Sequence, residues 1–86
     1  MYYILSKHFE KDFSKLPKKM KTKAIAQLEV FIEDPMNSRL NNHSLAGKWN
    51  GCRSINITGD IRAVYILVEE SVALFVAIGS HSELYS

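Results

Sequence analysis

Asp60, Arg62 and His81 are the residues around which chemistry can be built in this chain. Asp60 and Arg62 stand two apart in a stretch, Asp60 to Val68, that reads as a β-strand. Their side chains therefore point to the same face. Glu69-Glu70 turns the chain, and Val72 to Ile78 reads as the returning strand, with His81 just past its end. Antiparallel pairing sets the start of the first strand beside the end of the second, which brings His81 near Asp60 and Arg62. An acid, a cation and an imidazole at one end of a sheet can act as an acid–base pair with a phosphate clamp. The competing assignment is a surface Asp–Arg ion pair beside a solvent-exposed histidine.

The other reactive residue types offer less. His43 is a lone histidine in a polar loop, where packing alone can account for it. His8 falls in a helical stretch with no chemical partner in view. The three histidines show no metal-ligand spacing, and the single cysteine has no thiol companion. No metal or other cofactor is expected. Cys52 falls inside a strand pattern, which argues against a nucleophile. Trp49 fits a lid over the core better than a base-stacking platform. There is no phosphate-cradling glycine loop and no nucleophile elbow.

The elements that must position these residues form one domain, as 86 residues suggest. An apolar share of 47% is too high for disorder. The longest apolar run is far shorter than the roughly 20 residues a membrane span needs, so no membrane association is expected. Met1 to Lys7 lacks the features of a secretory signal, and one cysteine excludes an internal disulfide. A cytoplasmic location follows as the expectation. The net charge of +2 hides an asymmetry: seven lysines between Lys7 and Lys23 face only Glu10 and Asp12. That flank, Lys18 and Lys19 included, can hold a nucleic-acid backbone, or can be an ordinary solvated helix face.

Tyr2 to Leu5 is a short strand candidate. Ser6 can cap a helix carrying Phe9, Phe13 and Leu16 on one stripe. Pro17 separates it from a second helix, Lys18 to about Ile32, with Met20, Ala24, Leu28 and Phe31 or Ile32 facing inward. Asp34-Pro35 ends that helix. Met36 to Gly51 reads as a polar connection anchored by Leu45 and Trp49. Cys52 to Ile57 alternates, with Ile55 and Ile57 on one face, and Thr58-Gly59 is a hairpin turn. The Asp60 to Val68 strand is apolar on both parities after Arg62, as a central strand covered on both faces would be. The fold class is α+β in the order β-α-α-β-β-β. It is an antiparallel sheet with a helical hairpin on one face and the first strand at an edge or paired in parallel.

Three stretches in order carry a family resemblance. They are His43-Ser-Leu-Ala-Gly-Lys-Trp-Asn-Gly-Cys-Arg-Ser-Ile, Thr58-Gly-Asp-Ile-Arg-Ala-Val-Tyr and Gly79-Ser-His-Ser-Glu-Leu-Tyr. Together they resemble toxins of bacterial type II toxin–antitoxin pairs in the RelE/ParE superfamily, specifically the YafQ-like mRNA interferase branch. The resemblance covers essentially the whole chain. It implies a microbial RNase fold of the RelE type and a metal-independent endoribonuclease that cuts mRNA on the ribosome. The ribose 2′-hydroxyl would attack the adjacent phosphate, leaving a 2′,3′-cyclic phosphate. It also implies a cognate antitoxin, and no small-molecule ligand. By that resemblance His81, Asp60, His43 and Arg62 are the catalytic candidates. Arg53, Lys48 and Tyr85 are candidates for contacts with the RNA and its phosphates, as are Lys18 and Lys19 on the lysine-rich flank.

Two positions depart from the family pattern. Asn56 stands where some members of the branch have a further histidine, and Ile61 where they have an aromatic. Asn56 cannot titrate and Ile61 cannot stack on a base. Two other functions compete: a gyrase inhibitor of the ParE type on the same scaffold, and a non-catalytic module that binds an antitoxin or nucleic acid.

Overall fold

The computed structural model describes residues 1–85, and its first helix begins where the sequence places a cap. The Ser6 hydroxyl accepts the Phe9 N–H at 3.0 Å, opening α1 (Lys7–Ser14). Phe9 is buried on its inner face, with Phe13 and Leu16 packed against the same cluster. Pro17 caps α2 (Lys18–Glu33) without a side-chain bond, its carbonyl accepting the N–H groups of Met20 and Lys21. Ala24, Leu28 and Phe31 are the buried residues of α2, whereas Ile32 is exposed. Asp34 is extended, as the residue before Pro35 must be.

The sheet has five strands in the order β1-β5-β4-β3-β2, where β1 is Tyr2–Leu5, β2 His43–Ser44, β3 Arg53–Asn56, β4 Ile61–Glu69 and β5 Val72–Ser80. β1 is an edge strand running parallel to β5, and the other pairs are antiparallel. β4 is central, and its Ala63, Val64 and Tyr65 are buried on both parities. From Ile66 onward that strand emerges into solvent, so the two-sided cover holds only for its first half.

α1 and α2 cover one face. Phe75 is the hub there, with the rings of Tyr3, Phe9, Phe31 and Tyr65 at 5.9, 5.8, 5.2 and 5.2 Å. Phe75 and Ile78 both belong to this cluster although three residues apart, which a regular strand forbids. A register shift resolves it: Val64 pairs with Ala77 and Tyr65 with Phe75, leaving Val76 as the extra residue.

Three expectations need correction. Met36 to Gly51 is more than a loop. It holds 3-10 turns at Ser38–Leu40 and Gly47–Trp49 and the two-residue strand β2, so the sheet gains a fifth strand. Its core anchor is Leu40, fully buried, while Leu45 is half-buried. The residues after β5, to which the sequence pattern assigns no element, form a short helix, α3 (His81–Tyr85), on the face opposite α1 and α2. Cys52 lies just before β3, half-buried, and burial raises its thiol pKa above the ordinary value. No helix among the described residues is long and apolar enough to cross a membrane.

Candidate active site

Strand parity builds the site floor. On the face opposite the helical hairpin, His43, Ser54, Val64 and Ala77 lie in register across β2, β3, β4 and β5. The next row holds Asn56, Arg62 and Gly79. α3 packs onto this face through Leu84, which clusters with Val64 and Ala77. Between α3 and the loop before β3 opens a cavity of about 500 Å³, lined by Asn41, His43, Leu45, Ala46, Arg62, His81 and Tyr85. It joins His43, Arg62 and the His81–Tyr85 pair from three segments 19 residues or more apart in the chain.

Two of the polar side chains in the cavity, His43 and Arg62, are held by backbone carbonyls. His43 Nδ1 lies 2.8 Å from the Asn41 carbonyl. A carbonyl only accepts, so Nδ1 carries the proton and a neutral ring presents its lone pair at Nε2. Asn41 adopts a left-handed conformation with φ 46°, which asparagine tolerates better than most residues and which closes the 3-10 turn before His43. Arg62 donates one Nη1 hydrogen to the Thr58 carbonyl at 3.2 Å, leaving most of its five N–H groups for other acceptors. The His81 N–H binds the Asp60 carbonyl at 3.0 Å, which is the proximity expected from the hairpin. The His81 and Tyr85 rings lie 4.6 Å apart, one helical turn apart on α3.

A capping box opens α3. The Ser80 N–H donates to Glu83 Oε1 at 2.8 Å, and the Glu83 N–H donates to Ser80 Oγ at 3.2 Å. The first of these holds the Glu83 carboxyl below its ordinary pKa. Gly79 admits this closure, since a Cβ there would stand 3.3 Å from Glu83 Oε1.

The other candidates lie elsewhere. Asp60 sits in the turn before β4, its carboxylate exposed and outside the cavity lining. Among the described residues it forms no ion pair with Arg62. Arg53 is on the opposite sheet face, its Nε donating to Asn42 Oδ1 at 2.7 Å. Asn42 in turn donates to the Pro35 carbonyl and to the Tyr65 hydroxyl, both at 2.8 Å. Lys48 lies 5.9 Å from the Trp49 ring centroid and borders a second cavity with Lys15 and the His8–Asp12 pair. Lys18 and Lys19 flank a separate hollow on α2 with Thr22 and Lys23. Among the described residues no group of three His, Cys, Asp or Glu side chains is arranged to hold a metal ion.

Sequence reading missed three features of the site. Asn41 orients His43 through its carbonyl, which no side-chain pattern announces. The Ser80-x-x-Glu83 capping box was legible as a pattern. The Ser54 hydroxyl and Asn56 Oδ1 are buried without a hydrogen-bond partner among the described residues, on the strand face that carries the site.

The sheet order, the helical hairpin and the small C-terminal helix define the scaffold of RelE/ParE superfamily toxins. The family model described as a bacterial toxin of type II toxin–antitoxin systems, YafQ, matches residues 2–86, and the chain belongs to that family. A copper-bound mutant toxin from Helicobacter pylori shares 30% identity over 99% of both chains, with a TM-score of 0.67. YafQ from Escherichia coli shares 22% identity over 98% of this chain and 97% of its own, with a TM-score of 0.82. The toxin of the Escherichia coli DinJ–YafQ toxin–antitoxin complex shares 22% identity over 98% and 96%, with a TM-score of 0.79. No curated protein matches the chain.

Proposed function

We propose that this toxin is a metal-independent, ribosome-dependent mRNA endonuclease that acts in the cytoplasm and is silenced by a cognate antitoxin. The observation that carries the reading is the shared cavity of His43, Arg62, His81 and Tyr85. Relatives crystallised in complex with antitoxins support the partner.

In the proposed reaction the ribose 2′-oxygen bonds to the adjacent phosphorus and the bond from phosphorus to the 5′-oxygen breaks. His43 takes the 2′-hydroxyl proton at Nε2, because its Nδ1 is already committed to the Asn41 carbonyl. His81 supplies a proton to the departing 5′-oxygen. The free N–H groups of Arg62 neutralise charge on the five-coordinate phosphorus. Tyr85, packed on His81, offers a face for a neighbouring base. Asp60 acts through its backbone carbonyl, which fixes the start of α3. Lys18, Lys19 and Lys48 lie outside the cavity and serve longer-range contacts with RNA phosphates.

The test is induced expression followed by primer extension on cellular mRNA. Wild type should cut translated messages at discrete sites, and His81→Ala and His43→Ala should each abolish the cuts. Intact mRNA with a DNA-damage response would replace this reading by gyrase inhibition. Arrest that persists unchanged in both histidine variants would refute the site.

A further inference from the structure

We infer that Trp49 is a positioning residue: its indole N–H latches the last turn of α3 and so holds His81 and Tyr85 over Arg62. This rests on the nuclease reading for its consequence, but not for its structural content. A five-residue helix is far too short to stand alone, so tertiary anchors must hold it. Its first turn has two, the Ser80–Glu83 capping box and the bond from the His81 N–H to Asp60. Its end carries carbonyls with no partner inside the helix. One of these, on Leu84, accepts the Trp49 Nε1 hydrogen at 2.8 Å across 35 positions of sequence.

The approach to that bond is built into the local sequence. Gly47 and Gly51 bracket Trp49 with φ of 65° and 90°, a region that disfavours other residues. They make possible the tight turn in which Asn50 N–H bonds the Gly47 carbonyl and Cys52 N–H bonds that of Trp49. Trp49 itself is half-buried against the Leu84 cluster, so its ring packs while its N–H is aimed. The Gly-Lys-Trp-Asn-Gly stretch thus serves a helix more than thirty residues away.

The test separates donor from ring. Trp49 is replaced biosynthetically by its benzothienyl analogue, which substitutes sulfur for N–H and keeps the ring shape, and genetically by Trp49→Phe. Amide exchange at His81, Leu84 and Tyr85 should accelerate about tenfold in both, while amides of Ala63 and Phe75 in the sheet stay unchanged. Cleavage of ribosome-bound mRNA should slow about tenfold in single turnover, with the apparent affinity for ribosomes held. Restoring the donor with a ring-substituted tryptophan that keeps N–H should restore both. Unchanged exchange in α3 overturns the latch. Faster exchange with unaltered cleavage overturns the positioning role. If wild type does not cleave, the nuclease reading fails, and exchange together with the His81–Tyr85 ring-current shift decides the latch.

Discussion

Asn42→Ala tests how the loop that carries His43 is tied to the protein. The Asn42 amide donates to the Pro35 carbonyl and the Tyr65 hydroxyl, and its oxygen accepts from Arg53 Nε. It joins the end of the helical hairpin, the central strand and β3 immediately before β2 begins. A neutral hydrogen bond contributes about 1 kcal/mol net, and one to a charged group about 1.5 kcal/mol or more. Arg53 is only half-buried and recovers water on loss of its partner, so the lower figure applies to it. Tyr65 is 2% exposed, and its hydroxyl recovers little. The three bonds together then stabilise the fold by about 3 kcal/mol. A domain of this size holds only about 4–13 kcal/mol in total. The midpoint temperature should fall by about 12–24 °C. Urea unfolding of Asn42→Ala should show the loss at unchanged m-value. Tyr65→Phe, which removes one bond, should lose about 1 kcal/mol, and the double variant should lose less than the two singles combined. A loss for Asn42→Ala within about 0.5 kcal/mol of zero would show that the network does not hold this loop.

Ser54→Ala removes a fully buried hydroxyl with no partner among the described residues, so stability should hold or rise by up to about 1 kcal/mol. A clear loss in chemical denaturation would reveal a partner for that hydroxyl. Glu83 has a folded pKa below its ordinary 4.5, set first by the Ser80 backbone N–H and then by the Ser80 hydroxyl. A depressed carboxyl stabilises above its unfolded pKa and loses that contribution as pH falls through the folded one. The α3 signals in NMR should therefore be native-like at neutral pH and shift towards disorder in acid below 4.5, and Glu83→Gln should remove that limb. Burial keeps the Cys52 thiol protonated at neutral pH. Iodoacetamide should label it slowly until the protein unfolds, and labelling as fast as a free thiol would contradict the burial.

How much of this could be read beforehand depended on the range of the interaction. Strand alternation put Ile55 and Ile57 on one face and Ser54 and Asn56 on the other, and the helix-side cluster contains both isoleucines. Hairpin geometry placed His81 beside Asp60, and the backbone bond between them agrees. Both inferences use contacts between neighbours in one meander. The choice between Phe31 and Ile32 needed the helix rotation, which Phe75 and Tyr65 fix from other strands. The extra residue at Val76 left no mark in an apolar run where every position looked eligible for burial. β2 escaped notice because a two-residue strand has no period to detect.

The same distinction explains the two arginines. Arg53 and Arg62 both follow turns, and composition treats them alike. Parity separates them once β3 and β4 are paired: Arg62 faces Asn56 and Gly79, on the side where α3 lies. Arg53 shares a face with Ile55 and is drawn into the Asn42–Tyr65 network instead. Arg62→Met should therefore abolish RNA cleavage with little loss of stability, because its one hydrogen bond among the described residues is to an adjoining turn. Arg53→Met should do the reverse, lowering stability by about 1 kcal/mol while purified folded protein cleaves at a near-normal rate. Equal loss of cleavage in both variants, measured on folded protein, would show that Arg53 reaches the RNA despite its face. The assignment of the reacting phosphate to Arg62 rather than Arg53 would then fail.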